Sequence, residues 1–427
     1  MKQIPDNFKK IITEICRVFL GCVFVFSGFV KAVDPLGFTY KITDYLTAFG
    51  LNALEFFALP VSIFLAALEF TLGLCLLLGI YRRLHTILIL LFMLVMTPLT
   101  LYLAIANPVS DCGCFGDAWI ISNWQTFFKN LFLLAAAIVV FCWYKRITPL
   151  YTYKSYSLAI LWVWIFILSV SFYCYSYLPI LDFRPYKTGN NIPELREIPE
   201  DAEPDVHVLV YEKDGKTKEF TLEDYPRGDD SWTFVDTKLK KKGYEPPISD
   251  FVVVDELEEN ITDAILEYPG YTFLLISYDL EKADDSNVDK INEIYDYARL
   301  HDYPFYALTG SSSEKIREWQ ENTGAEYPFC TMDQIELKTI IRSNPGLMLM
   351  KEGTIINKWP KNKLPEESLL QQNLDDSPLG QIPPNKDAKK VLLLALICGL
   401  PLIALGINDY FRFRKTTEKK SIDNHKQ

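Results

Sequence analysis

Histidine is scarce in this chain. Only four occur, no two near one another in sequence, and no Ser/His/Asp arrangement can be traced among them. Basic charge is also short. The 43 Lys and Arg stand against 54 Asp and Glu, a formal charge of −11. Nucleic acid binding needs a basic face, so this balance excludes that class. There is no phosphate-cradling glycine loop and no internal repeat. Residues 107–121 contain no Lys or Arg at all.

What is present falls into two kinds of sequence. Residues 11–180 are mostly Leu, Ile, Phe, Val, Tyr and Ala, and residues 182–388 are rich in Asp, Glu, Lys and Pro. Six runs are apolar enough to span a bilayer, at about 20 residues each: 11–32, 59–80, 84–106, 122–143, 155–179 and 391–408. The first lacks a small-x-small cleavage site and reads as a retained helix. Six of the nine cysteines (Cys16, Cys22, Cys75, Cys142, Cys174 and Cys398) fall inside these runs. Free cysteine at such positions reads as a small buried hydrophobe.

Positive charge orients the spans. Lys2, Lys9 and Lys10, then Arg82 and Arg83, then Lys145, Arg146 and Lys154, then Arg412, Arg414, Lys415, Lys419 and Lys420 all fall on one face, the cytoplasmic one. The other face receives the 33–58 connection, the 107–121 loop and the soluble stretch. The 33–58 connection carries Phe38, Ile42, Tyr45 and Leu46 at helical spacing, as an interfacial helix or a cap on the bundle.

On that outer face lies Asp111-Cys112-Gly113-Cys114-Phe115-Gly116-Asp117. Two cysteines one residue apart, in a compartment where disulfides persist, point to thiol–disulfide chemistry. Gly113 permits the turn that a bridge between them requires. A metal would need further ligands, from Asp111 and Asp117, because zinc takes four. A structural staple is the third reading. Inside the spans, Arg17 and Glu69 lie at similar depths and can pair, either as a structural ion pair or in handling protons. Lys129 either snorkels to the interface or supplies a cation that favours a thiolate at the cysteines.

The segments RVFLGCVFVFSGFVKAVDP (17–35), LEFTLGLCLLLGIYRR (68–83) and DCGCFGD (111–117) resemble the MauE/DoxX family of redox-associated membrane proteins, over about residues 10–143. The resemblance implies a four-helix bundle and a link to disulfide formation or electron transfer in the bacterial envelope. It matches the family's outer-loop cysteines to Cys112 and Cys114 and its span-two Glu to Glu69. It also makes a quinone the electron acceptor to consider. Nothing here carries over methylamine as a substrate.

In the soluble stretch, 182–204 reads as a linker, and Val206–Val210 with Lys218–Thr221 reads as a hairpin around Asp214-Gly215. From 248 onward strands and helices alternate: a buried strand at 271–278, a helix at 288–299, a strand at 304–309, a helix at 312–322 and a hairpin at 343–359. This pattern resembles thioredoxin-like domains, and in that family the residue matching Pro345 is a cis proline beside the active site. The family's Cys-x-x-Cys position reads Ser277-Tyr278-Asp279-Leu280-Glu281 here, without cysteine. The domain's one cysteine, Cys330, is either a core residue or a relay partner for Cys112 and Cys114.

The expectation is therefore a membrane α-helical bundle with a four-helix MauE/DoxX-like core, six spans in total, plus an extracytoplasmic α/β thioredoxin-like domain. Its divisions are 1–148 (bundle), 149–181 (fifth span), 182–247 (linker and small β element), 248–386 (thioredoxin-like domain) and 387–427 (sixth span and basic tail). It is a multi-pass protein of the bacterial inner membrane, with cytoplasmic termini and a periplasmic soluble domain. Cys112 and Cys114 are the catalytic candidates; Arg17, Glu69, Lys129, Asp111 and Asp117 support them. No metal is assigned. The partners are the lipid bilayer and envelope thiol or client proteins. A non-catalytic scaffold and a subunit of a quinol-oxidising complex are the alternatives.

Overall fold

The computed structural model describes residues 5–109, 111–229, 231–241 and 243–424, with side chains as far as 412. Lys2 and the side chains of Arg414, Lys415, Lys419 and Lys420 lie outside the described residues. Among the described residues, six helices are long and apolar enough to cross a membrane. These are α1 (Asp6–Val33), α3 (Ala58–Leu78), α4 (Arg82–Ala106), α5 (Asn123–Cys142), α6 (Tyr156–Ser176) and α12 (Asp387–Asn424, apolar to residue 412). A shorter helix, α2 (Pro35–Ala48), follows α1 directly.

The closest pair is α1 with α3, and small residues make it so. A Cβ on Gly28 would sit 2.3 Å from Phe70 N and 2.7 Å from Ala66 O, and one on Gly73 would sit 2.8 Å from Gly21 O. Lipid is as apolar as the side chains, so close backbone packing of this kind holds membrane helices together. One face of the pair (Leu20, Phe24, Leu72, Leu76) packs on Ile89 and Met93 of α4 and Leu133 and Val140 of α5. The other face (Ala32, Ala66, Phe70) packs on Val163, Ile167 and Val170 of α6, with Cys398 and Leu402 of α12 behind.

The helix ends sort by charge. Arg146 pairs with Asp6 at 2.7 Å, and Arg82 Nη1 donates to Ile147 O at 2.6 Å. The basic connections therefore meet at one end, while α2 and the 107–121 loop occupy the other. Cys75, Cys174 and Cys398 are buried, but Cys22 and Cys142 are exposed on helix surfaces and Cys16 is half-buried. The uniform expectation of burial fails for these three because an apolar span has a lipid-facing side as acceptable to a thiol as the core.

After α6 the chain leaves the bundle, and α12 brings it back. A short α7 (Ile192–Arg196) leads into β1 (Val206–Lys213), β2 (Lys216–Phe220) and β3 (Thr233–Lys241), an antiparallel sheet in the order β2-β1-β3. Asp214 and Gly215 turn it with φ of 54° and 73°, the left-handed pair that a two-residue hairpin requires. Then α8 (Thr262–Leu266), β4 (Tyr271–Ser277), α9 (Val288–Leu300), β5 (Phe305–Thr309), α10 (Ser313–Thr323), β6 (Phe329–Thr331), α11 (Gln334–Ile340), β7 (Gly346–Lys351) and β8 (Thr354–Pro360) form a separate sheet domain.

Its order is β6-β5-β4-β7-β8, with β4, β5 and β6 parallel and β7 and β8 antiparallel. Every residue of β4 is buried, because helices cover both faces. Phe273 and Leu275 pack on Ile291 and Ile294 of α9, and Leu274 and Ile276 pack on Leu337 and Ile340 of α11. The turn from β7 to β8 is Glu352-Gly353, with φ of 49° and 71°.

Candidate functional site

The loop between α4 and α5 is fixed from both ends. Ser122 and Gln125 form a capping box that starts α5, and Asn123 Nδ2 donates to Val109 O at 2.9 Å. Within the loop, Gly113 N donates to Asp111 Oδ1 at 2.8 Å, and Gly116 N donates to Gly113 O at 3.1 Å. Gly113 has φ +65° and lies so near α2 that a Cβ would stand 3.0 Å from Lys41 Cγ. Only glycine meets both conditions without strain.

Helix α2 clamps this loop. Lys41 Nζ pairs with Asp111 Oδ2 at 2.6 Å, and Tyr45 Oη donates to Cys112 O at 2.8 Å. From below, Ser27 Oγ on α1 lies 2.8 Å from Cys114 O and 2.6 Å from Glu69 Oε2, so its one proton is shared between them. The result brings Cys112 Sγ and Cys114 Sγ to 2.9 Å, both as free thiols. Cys112 is buried and Cys114 half-buried.

The two sulfurs are electrically unequal. The hydrogen bond from Cys112 pushes the Cys112 thiol up and holds Cys114 below the usual thiol range. Burial raises Cys112 further and opposes the shift at Cys114. The ammonium groups of Lys129 and Lys31 also favour a thiolate at Cys114. Lys129 Nζ stands 4.2 Å over the Phe115 ring, which itself stacks on Trp119.

Glu69 pairs with Lys31, not with Arg17. Lys31 Nζ lies 2.7 Å from Glu69 Oε1 and 2.8 Å from Oε2, with both residues 4% exposed. Arg17 instead bonds Glu14 at 2.7 Å and the carbonyls of Leu76 and Leu77 at the end of α3. Side chains on a helix lean toward its N-terminus. Lys31 therefore reaches back down α1 to the level of Glu69, and Arg17 leans away toward the basic end of the bundle. Arg17 is not part of the cysteine site.

Asp117 belongs to a second cluster, where the sheet domain meets the bundle. Arg342 Nη2 lies 2.9 Å from Asp34 Oδ2 and 3.0 Å from Asp117 Oδ2, with its side chain 6% exposed. Burial costs both carboxylates. At Asp34 the guanidinium overcomes that cost and holds the acid below its usual range, whereas at Asp117 burial wins and the acid is raised. Three residues after Arg342, the Asn344–Pro345 bond is cis. Asn344 Nδ2 donates to Asp279 O at 2.7 Å and its Oδ1 accepts from Ser277 Oγ at 2.7 Å, tying this turn to the end of β4. Tyr278 meets Tyr40 of α2 edge-on, ring centroids 6.4 Å apart. The cysteine-free end of β4 and the cis-proline turn thus face α2 and the α1–α2 corner.

Cys330 stands apart from all of this. It is 2% exposed on edge strand β6, in a core cluster with Leu274, Leu308 and Met332, and burial pushes its thiol up to about 11. Its neighbours are Tyr306, Asp255 and Glu256 rather than the bundle. The relay expectation therefore fails: the β period turns this side chain into the sheet core.

Sequence reasoning named Cys112, Cys114, Glu69, Lys129, Asp111 and Asp117, and the structure brings these to the α2 end of the bundle. It missed Ser27, Lys31, Asp34, Lys41, Tyr45 and Arg342. Lys31 carried a legible signal, as an ionisable residue in the last turn of a spanning run. Asp34 before Pro35 is a helix-start signal too, and its side chain does accept from Gly37 N.

Residues 9–143 match the family model described as Methylamine utilisation protein MauE. Residues 206–242, the three-stranded sheet, match one described as a domain of unknown function, DUF8463. No curated protein matches the chain. Among solved structures, the chain is similar to a solution structure from Bacteroides thetaiotaomicron provisionally described as a protein disulfide isomerase. The two are 18% identical over 29% of this chain and 82% of that one, with a TM-score of 0.24. At that score the likeness carries no argument.

Proposed function

We propose that this protein is a membrane-embedded thiol–disulfide redox protein of the bacterial envelope, with Cys112 and Cys114 cycling between dithiol and disulfide. The observation that carries this reading is the pair itself: two free thiols 2.9 Å apart, one favoured as a thiolate. Bonds to the carbonyls of both cysteines, from Tyr45 and Ser27, hold the turn in place. A cation-bearing shell around a thiol pair suits reversible disulfide formation, because the thiolate is the attacking species. The MauE match over 9–143 supports a membrane redox role.

In this reading the loop faces the periplasm and the basic helix ends face the cytoplasm. The sheet domain is thioredoxin-like, on its strand order and its cis-proline turn, and has no thiol pair of its own. It acts as a fixed partner of the loop.

Thiol trapping in membranes tests this. Cys112 and Cys114 are expected to appear both as free thiols and as a disulfide, in proportions that follow the reductant supplied. A pair that stays fully oxidised in all conditions, with Cys→Ser variants still functional, would favour a second reading. That reading is a non-catalytic assembly scaffold with a stapled loop, and it draws on the three-stranded sheet, whose β3 is exposed along its whole length.

A further inference from the structure

The last span, α12, is the least buried of the six, and the space beside it has two parts. Between α1 and α12, over Phe70 of α3 and Phe166 of α6, runs an apolar groove of about 450 Å³. Along α12 it is lined from Val391 to Leu402. That stretch rises roughly 16 Å at about 1.5 Å per residue, near half of a hydrocarbon core about 30 Å thick. The groove is therefore as long as one leaflet is deep. Phe26 and Val391 in its lining are 42% and 43% exposed, so it opens toward lipid.

At Leu394 the groove adjoins a second cavity of about 400 Å³, where the end of α6, the start of α12 and the segment after β8 meet. Its lining includes Tyr173, Tyr177, Lys363 and Lys390. The two tyrosine rings lie 5.1 Å apart at the end of their span, the place of the aromatic belt that marks the headgroup level. Lys390 Nζ donates to Ile180 O at 2.9 Å and pairs with Asp387 at 3.1 Å. Among the described residues, no ion pair or side-chain hydrogen bond holds Lys363.

The basic helix connections gather at the other end of the bundle, so Lys386, Lys389 and Lys390 run against the charge pattern of the chain. Basic pockets between spanning helices are where anionic lipid headgroups bind. A zwitterionic lipid brings the same chains, but the cation of its headgroup opposes the lysines. A soluble phosphate suits the upper cavity and has no use for the groove. An anionic phospholipid matches both parts.

We propose that an anionic phospholipid binds here, its phosphate between Lys363 and Lys390 and one acyl chain along α12 from Val391 to Leu402. The two lysines belong to different halves of the protein, since Lys363 follows β8 and Lys390 lies in the first turn of α12. The lipid therefore ties the sheet domain to the membrane at a second point, through residues other than those of the Arg342 joint. This holds whether or not the cysteine pair cycles.

Native mass spectrometry of the full chain tests it. The delipidated protein in detergent receives equal amounts of phosphatidylglycerol and phosphatidylcholine with the same chains. Phosphatidylglycerol is expected to be retained about tenfold better, the scale of two basic residues at a lipid surface. Lys363→Gln/Lys390→Gln should lose that preference, and so should Leu394→Trp, which fills the junction of the two cavities. Lys9→Gln/Lys10→Gln, which removes the same charge at the other end of the bundle, should keep it. Glycerol 3-phosphate, the anion without the chains, should displace no lipid. Lys363 and Lys390 are exposed, so the unfolding temperature of their double variant without lipid should match that of the wild type. Equal retention of the two lipids by the wild type overturns the proposal. So does a preference that survives in Lys363→Gln/Lys390→Gln or vanishes in Lys9→Gln/Lys10→Gln. Displacement by glycerol 3-phosphate overturns the assignment of the groove to an acyl chain.

Discussion

Arg342 Nη2 lies 2.9 Å from Asp34 Oδ2, joining two residues 308 positions apart in the chain. One belongs to the turn before the cis proline, the other to the corner where α1 becomes α2. The guanidinium also holds Asp117, so it spans the first helix connection and the cysteine loop together. Replacing Arg342 with Ala strands two acidic groups at a buried joint. Breaking a buried pair in this way costs about 3–5 kcal/mol. The expected outcome is an undocked sheet domain that is cut by protease after α6, measured by limited proteolysis in nanodiscs. Arg342→Lys should not rescue, because a single nitrogen cannot reproduce the planar spread by which Nε holds Asp34, Nη2 reaches Asp117 and Nη1 donates to Lys338 O.

Cys114 should label at lower pH than an ordinary thiol. Its folded pKa is depressed, so the thiolate forms as pH rises through a value below the usual thiol range and remains above it. Iodoacetamide labelling of the reduced protein between pH 5 and 9 reads this directly. Lys129→Met removes one of the cations, and the labelling midpoint should then move upward. A shift of one unit makes labelling about tenfold slower at a pH below the midpoint. An unchanged midpoint would show that Lys129 serves Phe115 alone.

Lys31 and Glu69 should behave as a unit. Either single replacement, Lys31→Met or Glu69→Gln, leaves a lone polar group among apolar helices and is expected to cost about 3–5 kcal/mol. The double variant should cost less than the sum of the two. Thermal unfolding in detergent, run as a double-mutant cycle, checks it. Additive losses would mean that the pair is not coupled.

Gly28→Ala tests the close helix pair. The new methyl would meet Phe70 N at 2.3 Å, a backbone atom that cannot move aside alone. Overpacking of this kind costs about 1–3 kcal/mol. Because Ser27 and Lys31 sit beside Gly28, separation of α1 from α3 should also loosen their bonds to Glu69. The expected readout is a lower unfolding temperature together with altered Cys114 labelling.

Cys330→Ala should leave trapping of Cys112 and Cys114 unchanged. Any effect should be a modest loss of stability from a small cavity in the sheet core. A mixed disulfide between Cys330 and the loop, seen when Cys112 or Cys114 is replaced singly, would overturn this placement.

Much of the architecture was legible because the signals were local. The spans announced themselves by length and hydropathy, the Asp214-Gly215 hairpin by its turn residues, and β4 by an unbroken apolar run. The cysteine loop stood out for the same reason. Two things were not legible. Depth along a span says nothing of which way a side chain leans, so Arg17 looked as good a partner for Glu69 as any. The other was the joint between the two halves. Asp117 was noticed only as a neighbour of the cysteines, Asp34 offered only a helix start, Arg342 carried no signal, and only the fold makes them one cluster. The 33–58 connection left interfacial helix and cap both open, and the bonds from Lys41 and Tyr45 make it a clamp on the loop.

The chain leaves the bundle through α6 and returns through α12, so the sheet domain is a guest that cannot depart. Each time the Arg342 contact breaks, the same surface is still tethered at both ends beside Asp34 and Asp117. Its local concentration there is of the order of millimolar, set by tether length rather than by expression. A free protein that docks on Asp34, Asp117 and Tyr40 must therefore displace a resident competitor. Even a strong visitor would bind with an apparent affinity lowered by the fraction of time that the resident is docked.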